Sequence, residues 1–372
     1  MRILALMRLT PIKVRDHLSP LIDHPGLEAL ILVRYDEAST LQSPKVTQVT
    51  QRRAVPDGPV DDRFPQNLLR SLRVFWMGFQ ATRRYRPEAI YAIHLVPYGL
   101  FAWVLARLFR RKLIITLIGG DFNKDLQEYR TRGFWRWLLR QADAVTTFDE
   151  GSRQTIIGFG CAPERVFVLP HAVEMARFVP GPAEDKDITV IYTGHLWALK
   201  ENWRLLNAWP LVLAAHPGSR LAIVGDGPER ANLEAQAAEL GIRDAVQFVG
   251  WASDVAPWLQ RARVFVNVSN QEGVPMAMLE AMACGLVPVV TDVGGVGSII
   301  QDGENGLLLP SPADPAQIAA RINALLADPA KWARMSAAAE AVRAQFDYPA
   351  VSATWSPILQ HLTEDSAPRS RA

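Results

Sequence analysis

Short apolar runs alternate along the chain with longer stretches whose apolar positions recur every three or four residues. In the first half, "RILALM" (2–7), "LEALILV" (27–33), "AIYAIHL" (89–95), "KLIITLI" (112–118), "DAVTTF" (143–148) and "RVFVLP" (165–170) read as buried strands. Periodicity alone does not separate such runs from buried helix pieces, but their length and β-branched content favour strands. Helical patterns lie between several of them, as at 67–85 and 98–109. The second half repeats the theme with "ITVIYTG" (188–194), "RLAIVGDG" (220–227), "VQFVGW" (246–251), "RVFVNVS" (263–269) and "LVPVVT" (286–291). Strands alternating with helices predict parallel, doubly wound α/β sheets.

A proline-bearing, charged stretch at 170–187 separates the two halves and reads as a linker. The expected organisation is a Rossmann-like domain over 1–170, a linker over 171–187 and a second Rossmann-like domain over 188–345. A helix over 346–362 is expected to pack back on the first domain, followed by a frayed polar tail over 363–372. Ligands of such sheets bind beyond the carboxyl ends of the strands. Two domains facing each other across those ends would form a two-substrate cleft.

At 372 residues, 49% of them hydrophobic, the chain can build two cores. The net charge of +2 gives no reason to expect a polyanionic partner, but it hides an asymmetry. Residues 1–180 hold 26 Lys and Arg against 17 Asp and Glu; the remainder holds 14 against 21. A basic half beside an acidic half predicts that the two meet different partners. Two cysteines, Cys161 and Cys284, lie in no paired motif, which speaks against a disulfide framework or a zinc site. The start of the chain does not read as a signal peptide, and no apolar run approaches the length of a membrane span. A cytoplasmic protein is expected. No nucleic-acid-binding motif is present, so no nucleic-acid partner is expected.

The densest chemistry lies in "SNQEGVPMAMLEAMACGLVPVV" (269–290). A strand ends before it, and "PMAMLEAMACG" reads as a helix with Pro275 at its first position and Gly285 as its stop. The "NQEG" loop then sits at the helix amino end, where unbonded N–H groups and the helix dipole make an anion site. Gly273 lets a ligand approach the backbone. Glu272 in the loop suits a ligand that carries hydroxyls as well as phosphate. Glu280, five residues beyond Pro275, lies roughly 7 to 8 Å further along the axis. Two carboxylates so spaced can hold two sugar rings, one on each side of a diphosphate. A nucleotide sugar has that chemistry.

Glu272-Gly273-Val274-Pro275, Glu280, Ala281, Ala283, Gly285 and Pro288-Val289-Val290 together resemble the signature of the retaining glycosyltransferases of family four, which have the GT-B fold. The resemblance implies that Glu272 contacts the donor sugar and Glu280 the ribose, with Val274 and Met276 in the same loop. Upstream, "YTGHLWALKEN" (192–202) is similar to the family's Gly-Arg-Leu segment and its lysine. It implies donor contacts from Gly194 and Lys200, the lysine neutralising the diphosphate, with His195 where the family has arginine. A histidine is only partly charged near pH 7 and lacks the guanidinium fork. "LAIVGDGPER" (221–230) matches the family at Gly225. It falls short of a dinucleotide fingerprint because Arg230 takes the place of the third glycine. "VQFVGWASD" (246–254) matches the turn that offers backbone groups to the base, at Gly250 and Trp251. "LPHAVEMARF" (169–178) is similar to a Pro-Asn-Gly-Val-Asp segment, with His171 for asparagine.

The first half resembles the family less closely. The Gly-Gly loop after the first strand is replaced by "MRLTPIKVRDH", where Arg8 and Lys13 are candidates to approach phosphate. "ITLIGGDFNK" is similar to the family's His-Gly-x-Asp turn, with Ile118 in place of histidine, then Gly119, Gly120 and Asp121. His94, at the end of a predicted strand, is the remaining histidine placed for the chemistry. The expected catalytic set is Glu272, Lys200, Asp121 and His94.

The resemblance implies retaining transfer by front-face displacement, without metal or cofactor, from a UDP- or GDP-linked sugar to a glycan or lipid-linked acceptor in surface polysaccharide or glycolipid synthesis. Basic and aromatic residues interleave at 68–86, 101–112 and 134–140, a pattern suited to an anionic membrane surface. The expected location is therefore cytoplasmic, peripheral at the inner face of the cell membrane. Two other readings stay open: an inactive nucleotide-sugar-binding subunit, and an epimerase or hydrolase on the same fold.

Overall fold

The computed structural model describes residues 1–7, 11–34, 41–50, 66–118, 121, 126, 131–182 and 185–364, without the side chains of 11–13 and 66–70. The chain divides into two compact units. The first is Met1–Ala172 with Tyr348–Ala372, and the second is Val173–Asp347.

Seven strands form the sheet of the first unit: β1 (Arg2–Leu6), β2 (Ala29–Arg34), β3 (Val46–Thr50), β4 (Ala89–Ile93), β5 (Lys112–Thr116), β6 (Ala144–Thr147) and β7 (Val166–Val168). Their order is β3-β2-β1-β4-β5-β6-β7, and every neighbouring pair is parallel. The connecting helices are α1 (Pro11–Asp23), α2 (Gln66–Tyr85), α3 (Leu100–Phe109), α4 (Arg132–Arg140) and α5 (Glu150–Gly158). Alternation along each strand divides the core into two layers. In β1, Leu4 and Leu6 face α2, α3 and α4, while Ile3 and Ala5 face α1. Both faces of the sheet are covered, which is why β1 and β4 read as continuous apolar runs.

The second unit has six parallel strands: β8 (Ile188–Thr193), β9 (Leu221–Val224), β10 (Val246–Gly250), β11 (Ala262–Asn267), β12 (Val287–Thr291) and β13 (Leu307–Leu309). Their order is β10-β9-β8-β11-β12-β13. Helices α6 (Asn202–Ala215), α7 (Arg230–Glu239) and α10 (Pro315–Leu326) cover one face. Helices α8 (Ala256–Gln260), α9 (Met276–Ala283) and α12 (Arg343–Phe346) cover the other. Helix α11 (Pro329–Glu340) contributes Met335 to the first layer and Ala339 to the second. The stretch expected to be a linker belongs largely to this core. Val173, Met175 and Phe178 are buried in it, and Arg343 donates to the carbonyls of Met175 and Phe178. After α12 the chain returns to the first unit as α13 (Tyr348–Ala353) and α14 (Trp355–Glu364). There Trp355, Ile358, Leu359 and Leu362 pack against the α1 layer.

Candidate functional site

In the second unit the polar residues gather at the carboxyl ends of β8, β9, β10 and β11. β11 ends in Asn267, and the chain then forms the loop that carries Glu272. One carboxylate oxygen of Glu272 accepts from three donors: Lys200 Nζ, Asn267 Nδ2 at 3.1 Å and Ser269 Oγ at 2.9 Å. Asn267 is fixed in turn, because its Oδ1 accepts from the Ser269 N–H at 3.1 Å and lies 2.6 Å from the Ser269 hydroxyl, whose single proton it shares with Glu272. Thr291, at the end of β12, donates its hydroxyl to the Ser269 carbonyl at 2.6 Å. A carboxylate with this many charge-assisted and neutral bonds is held in one orientation before any ligand arrives. The Lys200 and Glu272 side chains are 18% and 13% exposed, so solvent screens their attraction only partly.

Backbone geometry closes the loop. Gly294 has φ +59°, and a Cβ there would lie 2.2 Å from the Glu272 carbonyl oxygen. Gly295 N–H donates to the Gly273 carbonyl at 3.0 Å. Val274 is buried, and α9 begins at Met276 with Pro275 as its extended N-cap, one residue later than the sequence pattern predicts. Proline brings no N–H, so Met276 and Ala277 are the first N–H groups of α9, with no carbonyl inside the helix to receive them. The helix stops where expected: Gly285 N–H bonds to the Met282 carbonyl and Leu286 N–H to that of Ala281. Glu280 sits half-buried on α9.

Lys200 reaches Glu272 from a short turn, Ala198–Lys200, that follows β8. Its own N–H donates to the Trp197 carbonyl, and Asn270 N–H donates to the Leu199 carbonyl at 3.2 Å, tying the lysine loop to the glutamate loop. Ahead of the turn, Tyr192 donates its hydroxyl to the His195 carbonyl at 2.9 Å, and burial pushes its phenol pKa upward, so it stays a neutral donor. The His195 ring stacks on Trp197 at 4.9 Å and on Trp251 at 5.5 Å between centroids. Gly194, Gly225 and Gly250 lie side by side. Gly194 N–H bonds to the Val224 carbonyl and Gly225 N–H to that of Gly250. A Cβ on Gly225 would fall 1.8 Å from the Gly194 carbonyl oxygen, so only glycine permits this approach.

The residues expected to act from the first half form a separate cluster in the first unit. Asp121 is buried, and its carboxylate accepts from Leu95 N–H at 3.1 Å and Ile118 N–H at 2.8 Å. His94 Nδ1 lies 3.5 Å from the same carboxylate. His94 has φ 73° and ψ 142°, a backbone region sparsely populated outside glycine. Beneath it runs a buried hydrogen-bonded chain: His17 Nε2 to Tyr91 OH at 2.7 Å, Tyr91 to Thr116 at 2.8 Å, Thr116 to Thr146 at 2.5 Å. Burial, together with the charge of nearby His94, lowers the His17 pKa to about 4. His171 stacks on Phe148 at 3.7 Å in this unit. Arg8, Gly119, Gly120 and the Lys13 side chain lie outside the described residues.

Sequence reasoning missed Asn267, Ser269 and Thr291, which hold Glu272, and it missed Trp197 and His17. A signal for the first two was present: a polar residue interrupting the apolar run "RVFVNVS" at a strand's carboxyl end.

Comparison with known proteins adds the following. Residues 176–342 match the family Glycosyl transferases group 1, and residues 22–172 match the Glycosyl transferase 4-like domain. One subunit of the phosphatidylinositol N-acetylglucosaminyltransferase from Arabidopsis thaliana is 32% identical over 46% of this chain and 39% of its own length. A D-inositol 3-phosphate glycosyltransferase from Acidothermus cellulolyticus is 34% identical over 57% of this chain and 53% of its own length. The matches thus span about half or less of these two relatives. Among solved structures, Anabaena HepE in complex with UDP superposes with a TM-score of 0.77 at 20% identity, covering 97% of this chain and all of that one. HepE in complex with UDP-glucose gives 0.74 at 19% identity, covering 98% of this chain and 99% of that one.

Proposed function

The chain belongs to the group 1 glycosyl transferases of family four, with the GT-B fold, and from that premise we propose that it moves a sugar from a nucleoside diphosphate to an acceptor hydroxyl with retention of configuration. The observation that carries this reading is the Lys200–Glu272 pair, held at the amino end of α9 by Asn267 and Ser269. In the free protein each group satisfies the other. A donor supplies both with better partners: the diphosphate receives Lys200 and the first N–H groups of α9, and the sugar hydroxyls donate to Glu272. Glu280 then receives the ribose hydroxyls. Complexes of HepE with UDP and UDP-glucose support a uridine donor, and a guanosine donor fits the same chemistry.

In the proposed reaction the acceptor oxygen bonds to the anomeric carbon on the face from which the diphosphate departs. The leaving phosphate oxygen accepts the acceptor's proton. The protein's part is to stabilise charge that builds on the diphosphate. Lys200 and the dipole of α9 supply that stabilisation, and no metal ion is invoked. His94, whose Nδ1 lies beside the Asp121 carboxylate, is the catalytic group proposed in the first unit.

A panel of UDP- and GDP-sugars, read by thermal shift and then by product formation with acceptors, tests this. Donors of one class should raise the melting temperature of the wild type. Lys200→Ala and Glu272→Ala should each lower transfer by about 100-fold or more while keeping the wild-type circular dichroism. Full turnover in either variant refutes the role assigned to that residue. Donor affinity without transfer to any acceptor supports the second reading, an inactive nucleotide-sugar-binding partner, which Ile118 and His195 favour.

A lipid-linked acceptor at an anionic membrane surface is part of the same proposal. Helices α2, α3 and α4 pack on one face of the first sheet and contain no acidic residue. Their outer surfaces expose Leu72, Trp76, Leu108, Phe134 and Trp137 among arginines. Among the described residues no helix is long and apolar enough to cross a membrane. Docking at the inner face of the cell membrane fits this pattern.

A further inference from the structure

We propose that the amino end of the second sheet carries an anion site of its own, in which Arg220, Arg243 and Arg261 bind the phosphate of a soluble, sugar-sized phosphate monoester. The site lies at the opposite end of the strands from the donor loops and stands independently of the donor reading.

The sheet topology brings these residues together. Asp187, Arg220 and Arg261 immediately precede β8, β9 and β11, and Arg243 opens the short turn Arg243–Ala245 that leads into β10. The strands are parallel, so all four residues emerge at one end. The strand order β10-β9-β8-β11 sets them side by side as Arg243, Arg220, Asp187 and Arg261, with about 4.8 Å between neighbouring strands. Together with Asp244 they line one cavity of about 480 Å³. Strand β9 separates Arg220 from Gly225 among the donor loops by roughly 16 Å at the rise of a strand. A ligand in this cavity is therefore distinct from one at the Lys200–Glu272 pair.

The charges in the cavity do not cancel. Arg261 grips Asp187 through two hydrogen bonds, at 2.9 and 2.5 Å. Among the described residues, neither Arg220 nor Arg243 forms an ion pair. Arg243 is nevertheless held in place: it donates to the Val246 carbonyl at 3.1 Å and lies over the Phe248 ring at 5.5 Å. Three guanidiniums thus meet two carboxylates, Asp187 and Asp244, in a part of the chain where acidic residues outnumber basic ones. Guanidinium forks match phosphate oxygens in a bidentate way and stay charged at any working pH. A phosphate monoester brings two negative charges to the two unmatched arginines, where a carboxylate brings one. The cavity is far larger than a phosphate group and falls in the size range of small-molecule sites, which leaves room for a sugar-sized remainder.

Calorimetric titration of the full chain at low salt, with inorganic pyrophosphate and glucose 6-phosphate as probes, tests this. Pyrophosphate should bind the wild type at two sites, one at each end of the sheet. Lys200→Ala should lose one of them and Arg220→Gln the other. In the Lys200→Ala background, adding Arg220→Gln or Arg243→Gln should weaken glucose 6-phosphate at least about tenfold, as loss of a charge-assisted bond does. Adding Asp244→Asn should instead tighten it about two- to fivefold. Arg220→Gln should leave the melting temperature unchanged, because no ion pair is lost with it. Glucose 6-phosphate binding that is indifferent to both arginines, or that needs more than about 10 mM ligand, overturns the site and leaves the donor reading standing. Two pyrophosphate sites persisting in Lys200→Ala, with one lost in Arg220→Gln, overturn the donor reading and support this one. Pelleting with phosphatidylglycerol vesicles that is lost in Arg220→Gln, without glucose 6-phosphate binding, would give the arginines to a lipid headgroup and refute a soluble ligand.

Discussion

His94 is pinned from both sides. Its N–H donates to the Thr116 carbonyl at 3.1 Å, and its carbonyl accepts from Gly99 at 3.0 Å. Those bonds hold a φ of 73° that costs a non-glycine residue about 1–3 kcal/mol. Glycine adopts this conformation freely and alanine does not. His94→Gly should therefore be more stable than His94→Ala by about 1 kcal/mol or more in chemical denaturation, with transfer lost in both. Wild-type turnover in His94→Gly would remove His94 from the reaction. His17 gives a pH-dependent prediction. Its pKa is lowered to about 4 in the fold, so the unfolded chain takes up its proton first as pH falls. Stability from this group is complete above pH 6.5, falls through the window down to pH 4, and amounts to at most about 3 kcal/mol. His17→Gln should flatten that part of the stability–pH curve, and an equally steep decline in the variant would contradict the assignment. Glu272 was singled out by its loop at a predicted helix amino end, Glu280 by its spacing along that helix and His94 by its place at a predicted strand end, whereas Lys200 was read only through the resemblance. His17 was not legible, because nothing in the "VRDH" stretch shows that α1 turns its imidazole onto Tyr91.

The site loops depend on close backbone approaches at the ends of β8, β9 and β10. A methyl group at residue 225 meets the Gly194 carbonyl oxygen, which must then move and carry the Lys200 turn with it. Gly225→Ala should destabilise the protein by about 1–3 kcal/mol and weaken donor binding more than a distant change of equal stability cost. Denaturant titration and calorimetry on the same variant check both halves, and unaltered affinity would contradict the coupling. Eleven strands announce themselves in the sequence as apolar runs. β3 and β13 do not, for different reasons. β3 is an edge strand of the sequence VTQVT whose residues are only partly covered, so it has no continuous apolar run. β13, also at an edge, is the run LLL between Gly306 and Pro310, which has no β-branched residue to mark it as a strand.

At the scale of the whole molecule, the chain leaves the first unit, builds the second and returns. Trp355 and its neighbours are part of the first unit's core although nearly the whole second unit separates them in sequence. Deleting residues 348–372 should therefore destabilise the first unit by several kcal/mol, as loss of large buried side chains does, and leave the second unit's transition in place. A single unshifted melting profile would contradict this. The helical pattern of these residues was legible in the sequence, and so was the basic character of the first half. If that charge serves an anionic surface, the protein should pellet with vesicles containing phosphatidylglycerol at low salt and be released as salt rises. Replacing Trp76 and Trp137 together by Ser should weaken the pelleting, and equal pelleting with neutral vesicles would refute an electrostatic attraction.

The donor site proposed in the second unit is the account's central claim, and a crystal structure with a non-transferable UDP- or GDP-sugar tests it most directly. The diphosphate is predicted within hydrogen-bond distance of Lys200 Nζ and the Met276 N–H, with Glu272 turned to the sugar hydroxyls and Glu280 to the ribose. Density for the donor away from these groups, with the Lys200–Glu272 pair still closed, would contradict it.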